Sequence, residues 1–435
     1  MAAPLRIALA GLGTVGAGVI RLLEENGSLI ARRAGRPLEV VAVCARDRSK
    51  DRGVDLSSYR WEDDMTVLAE GGDVDVVVEL VGGSDGPALS LARRTLAAGK
   101  HFVTANKAMV AHHGLELAES AESAGVALRY EAAVAGGIPV IKGLGEGAAA
   151  NRIERIYGIL NGTCNYILSD MEVSGRDFAE VLKEAQEAGY AEADPTFDIE
   201  GIDAAHKLAI LASLAFGTKV DFDAVQPTGI SRVRAEDIEQ AAALGYVIRL
   251  IGLADCAEGT DGQPQLFQRV QPYLVPMDHP LAAVDGPTNA VVAEGNFVGR
   301  LLFEGAGAGD GPTASAVVAD LIDVARGNTG PAFSLPVTDL IAAQAADAGE
   351  RRNRAYMRFM VADRPGVLAE ITAAMRDAGV SIESLMQKGQ PDEGGEVLVA
   401  MISHEAPESA VAKALDLLEG SPSVTEAPLV MRLLG

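Results

Sequence analysis

A glycine-rich segment near the start of the chain limits the fold more than any other part of the sequence. Leu5 to Ala10 is a short apolar run of the kind that forms a buried strand, and Gly11-Leu12-Gly13-Thr14-Val15-Gly16 follows it directly. A helical pattern then runs from Ala17 to Glu25. The three glycines allow a tight turn and a close approach of the backbone, and the free N–H groups at a helix start attract an anion. The segment therefore predicts a strand, a phosphate-binding turn and a helix.

Later strand patterns place this segment in a larger sheet. Glu39 to Cys44, Asp75 to Val81 and His101 to Thr104 read as strands separated by helical patterns. This alternation predicts an α/β fold with a Rossmann-type dinucleotide-binding domain over about residues 1–140. Glycines at 305, 307 and 309 precede a helical pattern from Ala314 to Arg326, and we expect the stretch of about 304–345 to complete this domain.

The end of the second strand bears on which dinucleotide binds. It reads Val43-Cys44-Ala45-Arg46, without the acidic residue that accepts hydrogen bonds from the ribose 2′-hydroxyl of NAD. Arg46 is instead placed to meet a 2′-phosphate, which favours NADP. A solvated loop arginine is the other interpretation of Arg46, and many such pockets accept both cofactors, so NAD remains the alternative.

Lys107 follows the carboxyl end of the strand His101 to Thr104. In an open parallel sheet that edge faces the ligand crevice, so Lys107 is placed for the nicotinamide and the substrate oxygen. A surface lysine that begins the helix Ala108 to Ala124 is the alternative.

An acidic segment stands just ahead of the strongly apolar run Leu208 to Phe216. It reads GYAEADPTFDIEGIDAAHK and gathers Glu192, Asp194, Asp198, Glu200, Asp203 and Lys207. From Ile202 the pattern is helical, so Asp203 and Lys207 share one face of a helix and the carboxylate can hold the ammonium group. Taken alone, the segment also fits a solvated acidic loop with an ordinary helix salt bridge.

Composition excludes several classes of partner and compartment. The chain has 37 Lys and Arg against 61 Asp and Glu, for a net charge of -24, which would repel nucleic acid and anionic lipid. Three widely spaced cysteines form no metal or disulfide pattern, and neither a signal peptide nor a membrane-spanning run is evident. We expect a cytoplasmic enzyme for small molecules, without nucleic-acid or membrane partners.

A glycine turn follows the third helical pattern of the chain. Glu131 is followed by AAVAGGIP, a sequence that can aim several backbone carbonyls at one point. With the Glu131 carboxylate, this predicts a hard-cation site. A simple turn between domains is the alternative.

Six motifs together identify a resemblance. TANKA, EAAVAGGIP, LNGTCNYIL, GYAEADP, DAAHKLAILA and GAGAGDGPTASAVVAD resemble, in this order and spacing, the homoserine dehydrogenase family over roughly residues 5–345. The resemblance implies NAD(P)-dependent interconversion of L-homoserine and L-aspartate 4-semialdehyde, a step of threonine, methionine and isoleucine biosynthesis. It also implies a catalytic and dimerisation domain over 141–303, and a homodimer or homotetramer.

The resemblance assigns roles to particular residues. Glu192 and Asp203 hold the substrate, with Glu192 a natural partner for its ammonium group, and Asp198 lies in the same segment. Lys207 is the acid/base and Lys107 lies at the nicotinamide, although the sequence leaves open which lysine transfers the proton. Further positions are implied for the dinucleotide at Gly189, Gly307 and Gly309, and for a structural Na⁺ ion at the Glu131 side chain and the carbonyls of Val134, Gly136 and Ile138.

Two residues depart from the family pattern. Glu304 stands where glycine or proline is usual, and Cys164 stands where threonine is usual. We therefore expect local differences in loop shape at these positions.

The C-terminal part of the chain has its own pattern. Residues 343–354 are small, polar and charged and predict a linker or the end of a connecting helix. Residues 355–435 then read as a βαββαβ unit, which predicts a ferredoxin-like domain. The predicted elements are strands Tyr356 to Ala362, Ile382 to Lys388, Glu396 to Ser403 and Val424 to Leu433, and helices Val367 to Ala378 and Pro407 to Leu418.

The motif DRPGVLAEI resembles ACT domains at the first turn of this unit. The resemblance implies an effector site near Asp363 and Gly366, with threonine as feedback inhibitor. A dimerisation module without a ligand is the alternative.

Two other functions compete with this assignment. A different NAD(P) oxidoreductase would keep the glycine turn and Lys107 but would not need GYAEADP. An amino-acid sensor with a decayed dehydrogenase fold would have lost members of the set Glu192, Asp203, Lys107 and Lys207, and all four are present.

Overall fold

Two large β-sheets organise the chain, one parallel and one mixed. The computed structural model describes residues 2–259, 262–388 and 396–435. The first sheet has the strand order β3-β2-β1-β4-β5-β6 and all of its pairs are parallel. Its elements are β1 (Leu5–Ala10), α1 (Thr14–Ala34), β2 (Leu38–Cys44), β3 (Arg60–Glu62), β4 (Val76–Glu79), α2 (Pro87–Ala97), β5 (His101–Thr104), α3 (Lys107–Ala124) and β6 (Leu128–Arg129).

Strand β1 shows why these residues form a buried parallel strand. Leu5, Ile7 and Leu9 belong to one hydrophobic cluster, whereas Ala8 and Ala10 belong to the other. Because helices cover both faces of a parallel sheet, both sets of side chains are shielded from water. The strand order reverses between β1 and β4, and the crevice at such a switch point is where doubly wound folds bind ligands.

The middle of the chain forms a helical layer against a mixed sheet. Its elements are α4 (Val140–Lys142), β7 (Ile153–Ile159), α5 (Gly162–Ser174), α6 (Phe178–Glu187), α7 (Thr196–Ile199), α8 (Ile202–Phe216), β8 (Gln226–Pro227), α9 (Ala235–Ala243), β9 (Tyr246–Glu258), β10 (Pro264–Pro276), β11 (Thr288–Gly295), β12 (Gly299–Ala306) and α10 (Asp310–Ala325). Helix α8 is buried along almost its whole length. The chain then returns to the first sheet, where α10 packs against α1.

Glycine permits the close approach of α1 and α10. A Cβ atom added at Gly18 would lie 1.9 Å from Oδ1 of Asp310. Arg21 forms an ion pair with the same carboxylate. The return of the chain through α10 therefore adds to the dinucleotide-binding half of the molecule.

The C-terminal unit continues the second sheet. Its elements are β13 (Gln344–Ala345), β14 (Arg352–Asn353), β15 (Ala355–Ala362), α11 (Val367–Ala378), β16 (Ile382–Lys388), β17 (Glu396–Ser403), β18 (Ala406–Pro407), α12 (Glu408–Asp416) and β19 (Leu429–Leu433). The order of the second sheet is β12-β11-β7-β9-β10-β19-β15-β17-β16, with β8 and β13 also on β10. β19 pairs with β10 in parallel through Tyr273 and Leu274.

The predicted fold class is confirmed: a Rossmann-type sheet, an α+β unit and a C-terminal ferredoxin-like βαββαβ unit follow one another along the chain. Several element bounds differ from the prediction. Helix α1 is longer at both ends than Ala17 to Glu25, and β19 begins at Leu429 instead of Val424. The 343–354 stretch contains the short strands β13, which pairs with β10, and β14, which pairs with β18 in a separate two-stranded sheet, so it is partly ordered.

The hydropathy of the described helices shows whether any of them could span a membrane. Across residues 2–259, 262–388 and 396–435, no helix combines the length and apolar character needed to cross a bilayer.

Candidate active site

The glycine turn has the geometry that phosphate binding requires. Gly11 has a φ of +105°, and a Cβ atom there would lie 2.6 Å from the carbonyl oxygen of Leu80. A Cβ atom at Gly16 would lie 2.1 Å from the carbonyl oxygen of Gly11, whereas one at Gly13 would meet no heavy atom within 4 Å. Gly11 and Gly16 thus allow tight packing, and Gly13 leaves open space before the first amides of α1. The turn fits a dinucleotide pyrophosphate.

A buried glutamate shapes the loop beside this turn. Glu79 ends β4 with no exposed surface, and one of its oxygens accepts hydrogen bonds from the amides of Val81 at 2.7 Å and Gly82 at 2.9 Å. The other oxygen accepts the hydroxyl hydrogen of Thr104 at 2.6 Å. Glu79 therefore joins the ends of β4 and β5. This role was not predicted from the sequence, although a glutamate closing an apolar strand is its visible signal.

Asn106 fixes the helix that carries Lys107. Its side-chain oxygen accepts a hydrogen bond from the amide of Met109 at 3.1 Å and so caps α3. Its amide group donates to the carbonyl of Gly83 at 2.7 Å. Lys107 is consequently the first residue of α3, one residue earlier than the predicted helix start, and lies at the carboxyl edge of the sheet.

One carboxylate contacts both predicted lysines. Lys207 Nζ lies 2.7 Å from Oδ2 of Asp203, and Lys107 Nζ lies 3.0 Å from Oδ1 of the same residue. Lys207 also donates to the carbonyl oxygen of Leu160 at 2.7 Å. Because these two bonds use two of the three N–H groups of Lys207, one remains for a substrate oxygen.

Asn161 connects this cluster to a second carboxylate. Its amide nitrogen donates to Asp203 and to Asp198, each at 2.8 Å. Its side-chain oxygen accepts from the amide of Cys164 at 2.7 Å and caps α5. The role of Asn161 was not predicted from the sequence, although an asparagine before a predicted helix start is the signal of a cap.

The electrostatics of the cluster keep Asp203 ionised. Burial opposes ionisation of this carboxyl, but the ammonium groups of Lys207 and Lys107 and the hydrogen bonds outweigh burial and hold the pKa of Asp203 well below its usual value. Burial and the nearby negative charge of Asp203 raise the pKa of Asp198. The two carboxylates therefore differ in their readiness to accept a proton.

A single cavity of about 810 Å³ joins the glycine turn to the lysine cluster. Its lining includes half of the predicted cofactor and substrate positions, together with the predicted acid/base Lys207 and with Gly136 of the predicted cation turn. These are Val15, Lys107, Gly136, Gly189, Asp198, Asp203, Lys207, Gly307 and Gly309. Such a volume suits a ligand of small-molecule size.

The other predicted cofactor and substrate positions lie outside the described lining of this cavity, namely Gly11, Leu12, Gly13, Thr14, Gly16, Arg46 and Glu192. Glu192 is exposed in the loop before α7, and only its backbone carbonyl has a described partner, the side-chain amide of Gln186 at 3.0 Å. Arg46 is exposed after β2. Arg52, which the sequence analysis did not select, donates to the carbonyl of Leu12 in the glycine turn at 2.9 Å.

The predicted cation turn packs against the cofactor loop. The two carboxylate oxygens of Glu131 accept the amides of Ile141 and Lys142, each at 2.9 Å. Burial, followed by the charge of Asp320, raises the pKa of Glu131 to about 7. The carbonyl of Ile138 accepts from the amide of Val140 at 2.8 Å, and the carbonyl of Val134 has no described partner. All four predicted donors are oxygens, as a hard cation requires.

The predicted regulatory residues lie at the start of α11. Gly366 caps this helix with a φ of +101°, and a Cβ atom there would meet no heavy atom within 4 Å. Asp363 is exposed. The space above this turn is therefore open.

A glycine turn that opens onto a cavity with two lysines is an arrangement of the NAD(P)-dependent oxidoreductases, and this chain belongs to that class. Three family models match the chain and define it further. They are "Homoserine dehydrogenase, NAD binding domain" over residues 11–131, "Homoserine dehydrogenase" over 139–322 and "ACT domain" over 355–419.

Full-length relatives agree with these matches. A homoserine dehydrogenase of Pseudomonas aeruginosa is 44% identical over 433 residues, 97% of each chain. One of Corynebacterium glutamicum is 43% identical and covers 98% of this chain and 95% of that protein. The crystal structure of a homoserine dehydrogenase from Thiobacillus denitrificans superposes with a TM-score of 0.92 at 43% identity, covering 99% of this chain and 98% of that one. The chain belongs to the homoserine dehydrogenase family, and the predicted resemblance is confirmed.

Proposed function

We propose that this enzyme prefers NADP, uses Lys207 as its acid/base, and supplies homoserine for threonine, methionine and isoleucine biosynthesis under feedback control by threonine. The catalytic part of the proposal rests on one observation: Lys107 and Lys207 both form an ion pair with Asp203. Two ammonium groups beside one carboxylate can hold a substrate oxygen and move its proton.

The proton steps follow from this geometry. When bound, the dinucleotide exchanges a hydride with the carbon that bears the substrate oxygen. In the reduction of L-aspartate 4-semialdehyde, Lys207 stabilises the negative charge that develops on the aldehyde oxygen and donates a proton to it. In the oxidation of L-homoserine, neutral Lys207 takes the hydroxyl proton. Lys107 adds a second positive charge, and Asp203 fixes both side chains.

Substrate binding would use the acidic side of the cavity. Asp198 lines the cavity near Asp203, and both carboxylates suit the ammonium group of an amino acid. Glu192 keeps its proposed role as a partner of that ammonium group, and this role requires the loop around Gly189 to Pro195 to move inwards.

The preference for NADP is proposed on positive charge beyond β2. Arg46 is exposed there, and the guanidinium groups of Arg48 and Arg52 lie 5.7 and 5.6 Å from the Trp61 ring centre. These cations provide partners for a 2′-phosphate. NAD would lack this attraction and bind more weakly.

The monovalent cation remains a proposal with a structural role. Glu131, Val134, Gly136 and Ile138 would supply the oxygens, and Gly136 packs closely against the backbone of Gly307. A Na⁺ ion there would stabilise the contact between the two halves of the cavity. We also propose a division of the chain into a dinucleotide-binding domain (1–140 with 304–345), a catalytic and dimerisation domain (141–303), a linker (343–354) and an ACT domain (355–435). A cytoplasmic location and assembly as a homodimer or homotetramer complete the proposal.

Absorbance of the reduced nicotinamide tests the proposed reaction. The enzyme is mixed with L-homoserine and NADP or NAD, with and without threonine. We expect reduction of the dinucleotide to depend on homoserine and to be faster with NADP than with the same low concentration of NAD. We also expect threonine to slow this reduction. A preference for NAD would contradict the role of Arg46, and full activity in saturating threonine would contradict the feedback proposal.

A further inference from the structure

Asn289 is a buried amide in the wall of the active-site cavity. Its exposed fraction is 1%, and it lines the cavity with Lys107 and Lys207. Neither its side-chain oxygen nor its side-chain nitrogen has a hydrogen-bond partner among the described residues. Buried polar groups are almost always paired, so an amide with two unpaired atoms at a cavity wall points to a ligand.

The amide lies where the two halves of the cavity meet. Asn289 stands on β11 opposite Gly305 of β12. A Cβ atom at Gly307 would lie 2.1 Å from the Asn289 side-chain carbon, and one at Gly162 would lie 3.4 Å from its Oδ1. The side chain therefore separates the loop before α10 from the start of α5, close to where a hydride must pass between cofactor and substrate.

The chemistry of the side chain selects its partner. Asn289 offers one acceptor and one two-hydrogen donor in a single plane. A ligand carboxamide offers the same groups in reverse and can form two hydrogen bonds at once. The charged groups of an amino-acid substrate have stronger partners nearby, because Asp198 and Asp203 suit its ammonium group and Lys107 and Lys207 suit its oxygens.

We propose that Asn289 binds the carboxamide of the nicotinamide ring through a reciprocal pair of hydrogen bonds. This contact fixes the rotation of the carboxamide and the face of the ring that is turned towards the lysine cluster. Asn289 is then a cofactor-positioning residue. The proposal rests on the binding of a nicotinamide dinucleotide and on no further detail of the proposed function.

Direct binding to the protein without substrate tests this contact. NADPH is titrated by fluorescence against its 3-acetylpyridine analogue, in which a methyl ketone keeps the acceptor and removes the donor. We expect the unmodified enzyme to bind NADPH about tenfold more tightly than the analogue, as one lost hydrogen bond would give. Asn289→Leu should bind NADPH about tenfold more weakly and lose the preference.

Asn165→Leu is the matched control. Asn165 is fully buried, and its side-chain amide donates to the backbone carbonyls of Val284 and Gly286. This variant should keep the preference for NADPH even if it is less stable. Circular dichroism checks both variants, and Asn289→Ala, which removes both the donor and the acceptor, replaces Asn289→Leu if that variant does not fold.

Two results would overturn the proposal. One is an unchanged preference for NADPH in the Asn289 variants, which would mean that water alone satisfies the amide. The other is unchanged affinity for NADPH with a raised KM for homoserine, which would place the substrate against Asn289. If the Asn289 variants lose the preference for NADPH but the unmodified enzyme does not turn over homoserine, the proposed function is contradicted while the contact between Asn289 and the carboxamide is supported.

Discussion

Asp203 lies between two ammonium groups, and its negative charge keeps them together. The sequence predicted half of this arrangement, because Asp203 and Lys207 are one helical turn apart. The contact with Lys107 could not be predicted from spacing, since it depends on how α3 packs against α8. The hydrogen bonds from the Asn161 amide to Asp198 and Asp203 could not be predicted for the same reason. A capping pattern identifies the helix that begins after Asn161 but not the carboxylates that are distant in sequence.

Replacing Asp203 tests its electrostatic role. Asp203→Asn should lower the free energy of unfolding by about 3 kcal/mol at neutral pH, because the buried ammonium group of Lys207 and the half-buried one of Lys107 lose their counter-charge. The folded state lowers the pKa of Asp203, so its stabilisation is present above the unfolded pKa of about 3.9 and is lost as pH falls. The difference between variant and unmodified enzyme should therefore shrink in acid.

Chemical unfolding at a series of pH values measures this difference. Asp194→Asn is the control, because Asp194 lies in the same segment but is exposed. Equal stability of Asp203→Asn and the unmodified enzyme at neutral pH would contradict the account, as would a difference that grows in acid.

At the scale of elements, the C-terminal unit joins the catalytic unit through a buried ion pair. Arg358 of β15 pairs with Asp237 of α9, and both are almost fully buried. Tyr356 also donates to Asp237 at 2.8 Å. Burial raises the pKa of Asp237 even though Arg358 lies beside it.

The sequence predicted β15 and its neighbours but not this junction. Periodicity identifies a strand and its buried face, yet pairing between β10 and β19 depends on which sheet edge is free in the folded protein. The stretch 343–354 was similarly predicted as a linker because its composition is polar. Its short strands form only because neighbouring strands accept them.

A double-mutant cycle tests the buried pair. Arg358→Met should lower the free energy of unfolding by about 3–5 kcal/mol, because it leaves a buried carboxylate unpaired. Adding Asp237→Asn should cost less than the sum of the single changes. The exposed pair of Arg376 and Asp377 is the control, where the same cycle should give less than about 1 kcal/mol. Additive effects of Arg358→Met and Asp237→Asn would show that the pair is not coupled.

At the scale of the whole molecule, a ferredoxin-like unit of the ACT family shares one sheet with the catalytic unit. This continuity would give the proposed effector site near α11 a direct physical connection to the catalytic strands. The order of the three units could be predicted from sequence, because each has its own hydrophobic period and glycine pattern. The shared sheet could not, because hydrogen bonding between distant strands leaves no local signal.

Gly366 tests the regulatory site. Gly366→Val should reduce inhibition by threonine at least tenfold and leave activity without threonine nearly unchanged, because the new side chain fills the open space above α11. Gly379→Val is the matched control: Gly379 also has a positive φ, of 79°, and a Cβ atom there also meets open space, but it lies at the other end of α11. Activity is measured over a range of threonine concentrations, and equal inhibition of both variants would move the effector site elsewhere.

The most direct test of the account compares turnover and cofactor affinity in Lys207→Ala. Lys183→Ala, which removes an exposed lysine, is the control. We expect Lys207→Ala to lose about 10²- to 10⁴-fold in kcat for homoserine oxidation, as removal of a general acid/base does. Its Kd for NADPH should stay close to that of the unmodified enzyme and of Lys183→Ala. Nearly full turnover, or equal loss of turnover and NADPH affinity, would contradict the assignment of Lys207 as the residue that moves the proton.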